Sequence, residues 1–325
     1  MNEVTKIDGI GSSVRRTEDK KFLTGKGKYT DDINRPGQVQ AYFLRSDVAH
    51  AKIKKIDIKN AQSAPGVVGV FTGDDIAADK VGGPICGWVV PCRDGSATKE
   101  PPHPLLAQGK VRFVGDAIAV VLAETAEQAK SGAELIDVDY EELSPVVDFE
   151  NAGDGAQIHD EVPNNCYFDW ELGDEKATAD ALSGAKKIVK LRVRNNRLVP
   201  NAMEPRCALA EFDNLDDSYT LHTTSQNPHL TRLVLAAFMF AIPESKLRVI
   251  APDVGGGFGS KIYVYIEEAV CVWASKKVGR PVKWTADRTQ AFLTDCHGRD
   301  HVNDVQLGLD ENNKIVGLRV DTVCN

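Results

Sequence analysis

Four glycines in five residues, in the stretch Gly255-Gly256-Gly257-Phe258-Gly259, are the strongest chemical signal in the chain. They follow an apolar, strand-like run, Leu247 to Ile250, and precede a long helical pattern beginning near Ile262. Strand, glycine turn and helix N-terminus together lay backbone N–H groups bare toward an anion or a metal-bound oxygen. Glycine suits that task because a Cβ blocks close approach and because such turns often need a positive φ. A tight strand-to-helix turn with no ligand has the same local signature. Spacing removes two familiar alternatives. A phosphate-cradling loop ends Gly-Lys-Ser/Thr, whereas here the order is Gly259-Ser260-Lys261-Ile262. A dinucleotide fingerprint needs G-x-G-x-x-G, and Gly255, Gly257 and Gly259 miss its last interval.

The second candidate is Gln226, in Thr223-Thr-Ser-Gln-Asn-Pro-His229. Tyr219 to Thr224 reads as a strand, Asn227 as an N-cap and Pro228 as the first position of a helix running to Phe240. Gln226 therefore sits between a strand end and a helix start. If the strands before Gln226 and before the glycine turn are parallel neighbours, both ends reach one sheet edge. His229, at the helix start, fits a solvated role. Glu204 and Arg206 fit a buried ion pair that fixes a loop as well as they fit a catalytic role. Cys86, Cys92 and His103 match no zinc spacing, and Gly298 between His297 and His301 argues against a helical metal pair, so no metal ligand is assigned.

Composition bounds the rest. A length of 325 residues allows two domains. A net charge of −8 argues against nucleic acid or an anionic membrane as the main partner, and no apolar run approaches a membrane span. Met1 to Asp8 lacks the apolar core of a secretory signal, which points to a cytoplasmic protein. Seven scattered cysteines without a C-x-x-C pair fit reduced thiols and supply no iron–sulfur ligand set, so any such cluster lies on another chain.

The expected architecture is α+β. An N-terminal arm (1–19) precedes a compact domain (20–148) with strands at Val39–Leu44, Ala51–Ile58, Val67–Phe71, Val111–Val114 and Ala117–Leu122. Thr125-Ala-Glu-Gln128 is a capping box opening a helix to about Leu135, and Ile136–Tyr140 closes the domain as a strand. Residues 149–164 read as a linker, and 165–325 as a second region ending in a hairpin, Asn303–Asp310 with Ile315–Val323.

Several stretches, in order, resemble the molybdenum-binding large subunit of the xanthine dehydrogenase / carbon monoxide dehydrogenase (molybdenum hydroxylase) family. They are Arg16–Asp19, Leu23–Tyr29, Arg45–Ala51, Arg112–Val121, Val138–Leu143, Met203–Arg206, Ser225–His229, Gly255–Lys261 and Asp287 through Asp300. The resemblance implies an α/β hammerhead domain followed by the first part of the molybdopterin-binding mixed α/β region. It implies that Gln226 hydrogen-bonds an oxo ligand of molybdenum, and that Gly256, Gly257, Phe258 and Gly259 pack beside the metal. The implied cofactor is molybdenum-molybdopterin, in its cytosine dinucleotide form. FAD and 2Fe-2S would be carried by a medium and a small partner subunit, in a dimer of heterotrimers. The implied reaction is oxidative hydroxylation with water as oxygen source. Xanthine enzymes carry a purine-holding glutamate after the lysine, and Ile262 takes that place here. Family subunits are more than twice as long, and their base glutamate lies downstream. The chain is thus expected to be one part of a large subunit and not to catalyse alone. Two other classes fit the local signals: a scaffold that kept the fold without the site, and a nucleotide-binding enzyme using the glycine turn for phosphate.

Overall fold

The apolar run Ala117–Ala123 is buried along its whole length, and its side chains feed three apolar cores on its two faces. That is how a strand covered on both faces behaves, and the rest of the molecule is layered around it. The computed structural model describes residues 9–325, and the first eight residues of the arm lie outside the described part.

The first half contains α1 (Asp19–Leu23), β1 (Val39–Arg45), β2 (Ala51–Asp57), α2 (Lys59–Gln62), β3 (Val67–Thr72) and α3 (Gly73–Ala78). It continues with β4 (Lys110–Val111), β5 (Ala117–Ala123), α4 (Ala126–Ala133) and β6 (Asp137–Glu142). The second half contains α5 (Glu175–Ser183), β7 (Lys187–Asn195), β8 (Cys207–Asp213), β9 (Ser218–Thr223), α6 (Pro228–Leu233) and β10 (Leu247–Ile250). It ends with α7 (Ile266–Val278), β11 (Val282–Thr285), α8 (Arg288–Thr294), β12 (His301–Leu309) and β13 (Ile315–Cys324).

A seven-stranded sheet, in the order β10-β9-β8-β11-β1-β5-β3, draws strands from both halves. The junction is a parallel pairing of β1 with β11 at Val39↔Val282 and Gln40↔Lys283. Phe43 and Trp284 meet edge to face across it, with ring centroids 5.8 Å apart. Helix α7 packs on β8, β9 and β11, burying Ala269, Val270, Cys271, Val272 and Ala274. Each large aliphatic side chain buried in this way contributes roughly 1.5–3 kcal/mol. Helix α4 covers β1 and β5 from the other side. Two three-stranded sheets, β4-β2-β6 and β13-β12-β7, complete the α+β architecture.

Most expected elements are present, including the Thr125 capping box, where Thr125 Oγ1 accepts from the Gln128 amide. Gly279 ends α7 in the left-handed conformation expected of a C-cap. Three expectations are corrected. The strand expected at Val111–Val114 stops at Val111, because the Asp116 carboxylate takes the Arg112 N–H and turns the chain. The helix after Pro228 widens into a π turn over Val234–Met239, which keeps Val234, Leu235, Ala236 and Met239 buried. The helix expected from Ile262 starts at Ile266, for reasons that lie in the glycine turn. Residues 149–164 run as an ordered crossing, in which the Asn165 amide donates to the carbonyls of Ala152 and Ala156.

Candidate functional site

β9 and β10 are parallel neighbours, with Tyr219 opposite Leu247 and His222 opposite Ile250. Their C-terminal ends therefore leave the sheet side by side, and the segments that follow meet. The Gln226 N–H donates to the Lys261 carbonyl at 2.8 Å, and Gln226 Oε1 accepts from the Gly259 N–H at 3.0 Å. Because Gly259 can only donate, the carboxamide is oriented: its oxygen faces the turn and its NH2 is left to point elsewhere. Gln226 itself is exposed. Ser225 and Asn227 hold it in place from behind, with the Asn227 N–H donating to Ser225 Oγ and the Asn227 side chain capping α6.

The turn is shaped by close approach as much as by backbone freedom. A Cβ on Gly257 would fall 2.4 Å from Gln226 Cδ, and one on Gly255 would fall 2.5 Å from Glu204 Cβ. Gly256 and Gly259 sit at φ +97° and +93°, and Phe258 joins them at φ +51° with its ring exposed. Among the described residues, the N–H groups of Gly256, Gly257 and Phe258 have no hydrogen-bond partner. The result is a row of three unclaimed peptide donors beside a glutamine NH2.

Glu204 and Lys261 anchor the turn from below. Glu204 Oε2 accepts from the Gly255 N–H at 2.7 Å and from Lys261 Nζ at 2.9 Å, while Nζ also donates to the Glu204 carbonyl. Burial pulls the Lys261 pKa below its usual value, against the attraction of Glu204. Drawing that ammonium inward leaves Lys261 with non-helical dihedrals. The chain then makes one 3-10 turn, Ser260–Ile262, and runs extended before α7 begins. The helix N-terminus expected at the glycine turn is thus displaced, and the bare peptide groups of the turn act without a helix dipole behind them.

Glu204 and Arg206 do not pair with each other. Arg206 Nε donates to Asp295 at 2.6 Å, and its terminal nitrogens reach Glu267 at 2.7 and 3.2 Å. Its guanidinium lies 3.7 Å from the Tyr265 ring centroid. Arg45, from the first half of the chain, reaches the same Glu267 at 2.7 Å. Tyr265 Oη in turn donates to the Ser260 carbonyl and accepts from the Cys296 amide, tying this buried cluster to the end of the turn. Burial pushes the Glu267 carboxyl up, but the two arginines more than offset this and hold it at about 2. The signal missed in the sequence was the pair Glu267-Glu268 in the first turn of an otherwise apolar helix, which requires buried counter-charges.

His229 is exposed at the start of α6, and His297 pairs with the Phe292 carbonyl. Among the described residues no group of three His, Cys, Asp or Glu side chains converges as a metal-binding set. Donors without ligating side chains suit a group that brings its metal already chelated.

Two family profiles cover this architecture. Residues 158–325 match the molybdopterin cofactor-binding domain, and residues 24–144 match the a/b hammerhead domain of aldehyde oxidase and xanthine dehydrogenase. The chain belongs to the xanthine dehydrogenase / carbon monoxide dehydrogenase family of molybdopterin-binding large subunits and corresponds to their N-terminal part. It is 34% identical over 322 residues to the carbon monoxide dehydrogenase large chain of Hydrogenophaga pseudoflava, a match covering 95% of this chain and 39% of that one. It is 34% identical over 313 residues to the nicotine 6-hydroxylase large subunit of Paenarthrobacter nicotinovorans, covering 95% and 37%. Among solved structures, quinoline 2-oxidoreductase from Pseudomonas putida 86 superposes with a TM-score of 0.84 at 34% identity, over 96% of this chain and 39% of that one. The chain thus spans about two-fifths of the length of these relatives.

Proposed function

We propose that this chain is the N-terminal portion of the large subunit of a molybdenum hydroxylase. The complete enzyme oxidises a small aldehyde, N-heterocycle or carbon-monoxide-like substrate in the cytoplasm. Its cofactor is molybdenum-molybdopterin in the cytosine dinucleotide form. Electrons leave through a 2Fe-2S small subunit and an FAD-binding medium subunit, in a dimer of heterotrimers. The observation that carries this reading is the hydrogen bond of Gln226 to Gly259, beside the three unclaimed N–H groups of Gly256, Gly257 and Phe258.

When bound, such a cofactor would supply two-electron oxidation with water as the source of oxygen. The residues of this chain would bind and orient it. Gln226 offers a fixed NH2 donor toward an electronegative ligand atom, and the glycine turn offers preorganised peptide donors to developing negative charge. The Glu204–Lys261 pair keeps the turn from relaxing. Among the described residues none is assigned here as a general base, and we assign the proton-accepting carboxylate to the remainder of the large subunit. The chain alone is inactive.

The test is metal analysis of the chain purified together with the products of its neighbouring genes. Molybdenum near one equivalent per chain supports the reading. A stable complex that carries no molybdenum after expression with ample molybdate would overturn it in favour of a scaffold.

A further inference from the structure

The sheet β13-β12-β7 leaves a largely aliphatic face open to water. One face carries Arg192, Arg194, Asp304, Lys190, Gln306 and Arg319 together with Ile188, Val302 and Val323, and most of its charged side chains stay exposed. Helix α5 lies on it, with Leu182 and Ala181 against Gly308 and Gly317, and Glu150 pairs with Arg192 and Arg194. The opposite face is built from Val189, Leu191, Val305, Leu307, Leu318 and Val320. Leu191 is 61% exposed, Leu318 55% and Val320 49%, and none of the three apolar cores includes a residue of these strands. Asn303 and Thr322 on the same face are uncharged. A sheet face that meets water normally carries polar residues, and this one is largely aliphatic.

We infer that the Val189–Leu191–Leu318–Val320 face is the docking surface for the remainder of the large subunit, that is, for the polypeptide matching the part of the carbon monoxide dehydrogenase large chain outside the 39% spanned here. The inference rests on the proposed function above. Two observations select this occupant. A face that is aliphatic along its middle, with Lys187 and His301 at its two ends, has the composition of a core cut in half, which obligate partners share and transient ones do not. In addition, β7 runs on through Leu198, which bridges to Gly298, into the Asn201–Met203 segment. Arg288 clamps that segment, donating to the carbonyls of Ala202 and Met203. Ala202 Cβ lies in van der Waals range of a Cβ placed on Gly256. A single continuous segment thus links this face to the edge of the glycine turn.

The test is co-expression of the chain with the remaining large-subunit polypeptide encoded at the same locus, in medium without molybdate, with assembly read by mass photometry. The wild type is expected to form a one-to-one complex. The double variant Leu191→Lys/Leu318→Glu is expected to bind about 100-fold more weakly, as loss of two central contacts does. Its circular dichroism and melting temperature should be unchanged, since both side chains face water in the isolated chain. Lys190→Asp, on the opposite face, should assemble like wild type. Assembly of the double variant with wild-type affinity, absence of any complex for the wild type, or a homodimer of the isolated chain that the double variant dissolves would each overturn the inference. Because assembly is read without the cofactor, a complex that forms through this face but never takes up molybdenum would sink the functional reading and leave the docking surface standing.

Discussion

Gln226 acts through two ends of one carboxamide, and substitutions can separate them. Gln226→Glu still accepts the Gly259 N–H but turns the outward donor into an acceptor. Under the function proposed above, the assembled enzyme should keep its thermal stability and show a kcat roughly 100-fold lower, the usual cost of one preorganised donor. Steady-state kinetics beside a melting curve check this. Gly257→Ala and Gly259→Ala make a second comparison. A methyl group at 257 collides with Gln226 Cδ, whereas at 259 it meets open space and only the φ of +93° resists it. The first variant should lose molybdenum with little loss of stability. The second should lose about 1–2 kcal/mol of stability while keeping Gln226 in place. Metal content and denaturant midpoints for the pair decide it. The glycines were legible as a special turn, but which of them makes room for which neighbour depends on Glu204 and Gln226 arriving from elsewhere in the chain.

The elements under the turn are held by charge. Removing Arg206 as Arg206→Met strands Glu267 and Asp295 in the interior with Arg45 as the remaining cation near Glu267, and should cost about 3–5 kcal/mol in denaturant unfolding. The pH dependence follows from the same cluster. Glu267 is held at about 2 in the folded chain against an ordinary 4.5, so its contribution is complete above pH 4.5 and is lost as pH falls toward 2. Urea midpoints should therefore fall between pH 5 and pH 3 in the wild type, and much less in a Glu267→Gln background. Asp116 runs the other way. Burial raises its carboxyl from 3.8 to about 6, against hydrogen bonding from Arg112 and the charges of Arg112 and Arg45. Its stabilising protonated form is fully present below pH 3.8 and is lost as pH rises through 6. Asp116→Asn should be more stable than wild type at pH 7, by on the order of 1–2 kcal/mol, with the difference vanishing near pH 4.

At the scale of the whole molecule, the hammerhead and molybdopterin-binding segments share one seven-stranded sheet. The β1–β11 pairing, the Phe43–Trp284 contact and the Arg45–Glu267 ion pair all cross between them. We expect a single calorimetric transition, with near- and far-ultraviolet circular dichroism melting together. Two separated transitions would contradict the shared sheet. Residues 1–148 expressed alone should expose β1 and the buried Phe43 and aggregate.

Local chemistry and pattern determined a good deal without coordinates: the capping box at Thr125, the Gly279 stop and the strand runs. Each is set by neighbours a few residues apart or by hydrophobic period, whereas the meeting of Gln226 with the glycine turn was conditional until β9 and β10 proved to be parallel neighbours. Only the tertiary structure decided that Glu204 takes Lys261 and Arg206 takes Glu267 and Asp295. The same holds for the start of α7 at Ile266 rather than Ile262, and for an apolar face of β7, β12 and β13 being left open to water. Ion-pair partners and sheet faces depend on which distant segments share a low-dielectric space, and no residue type or spacing along a single strand specifies that.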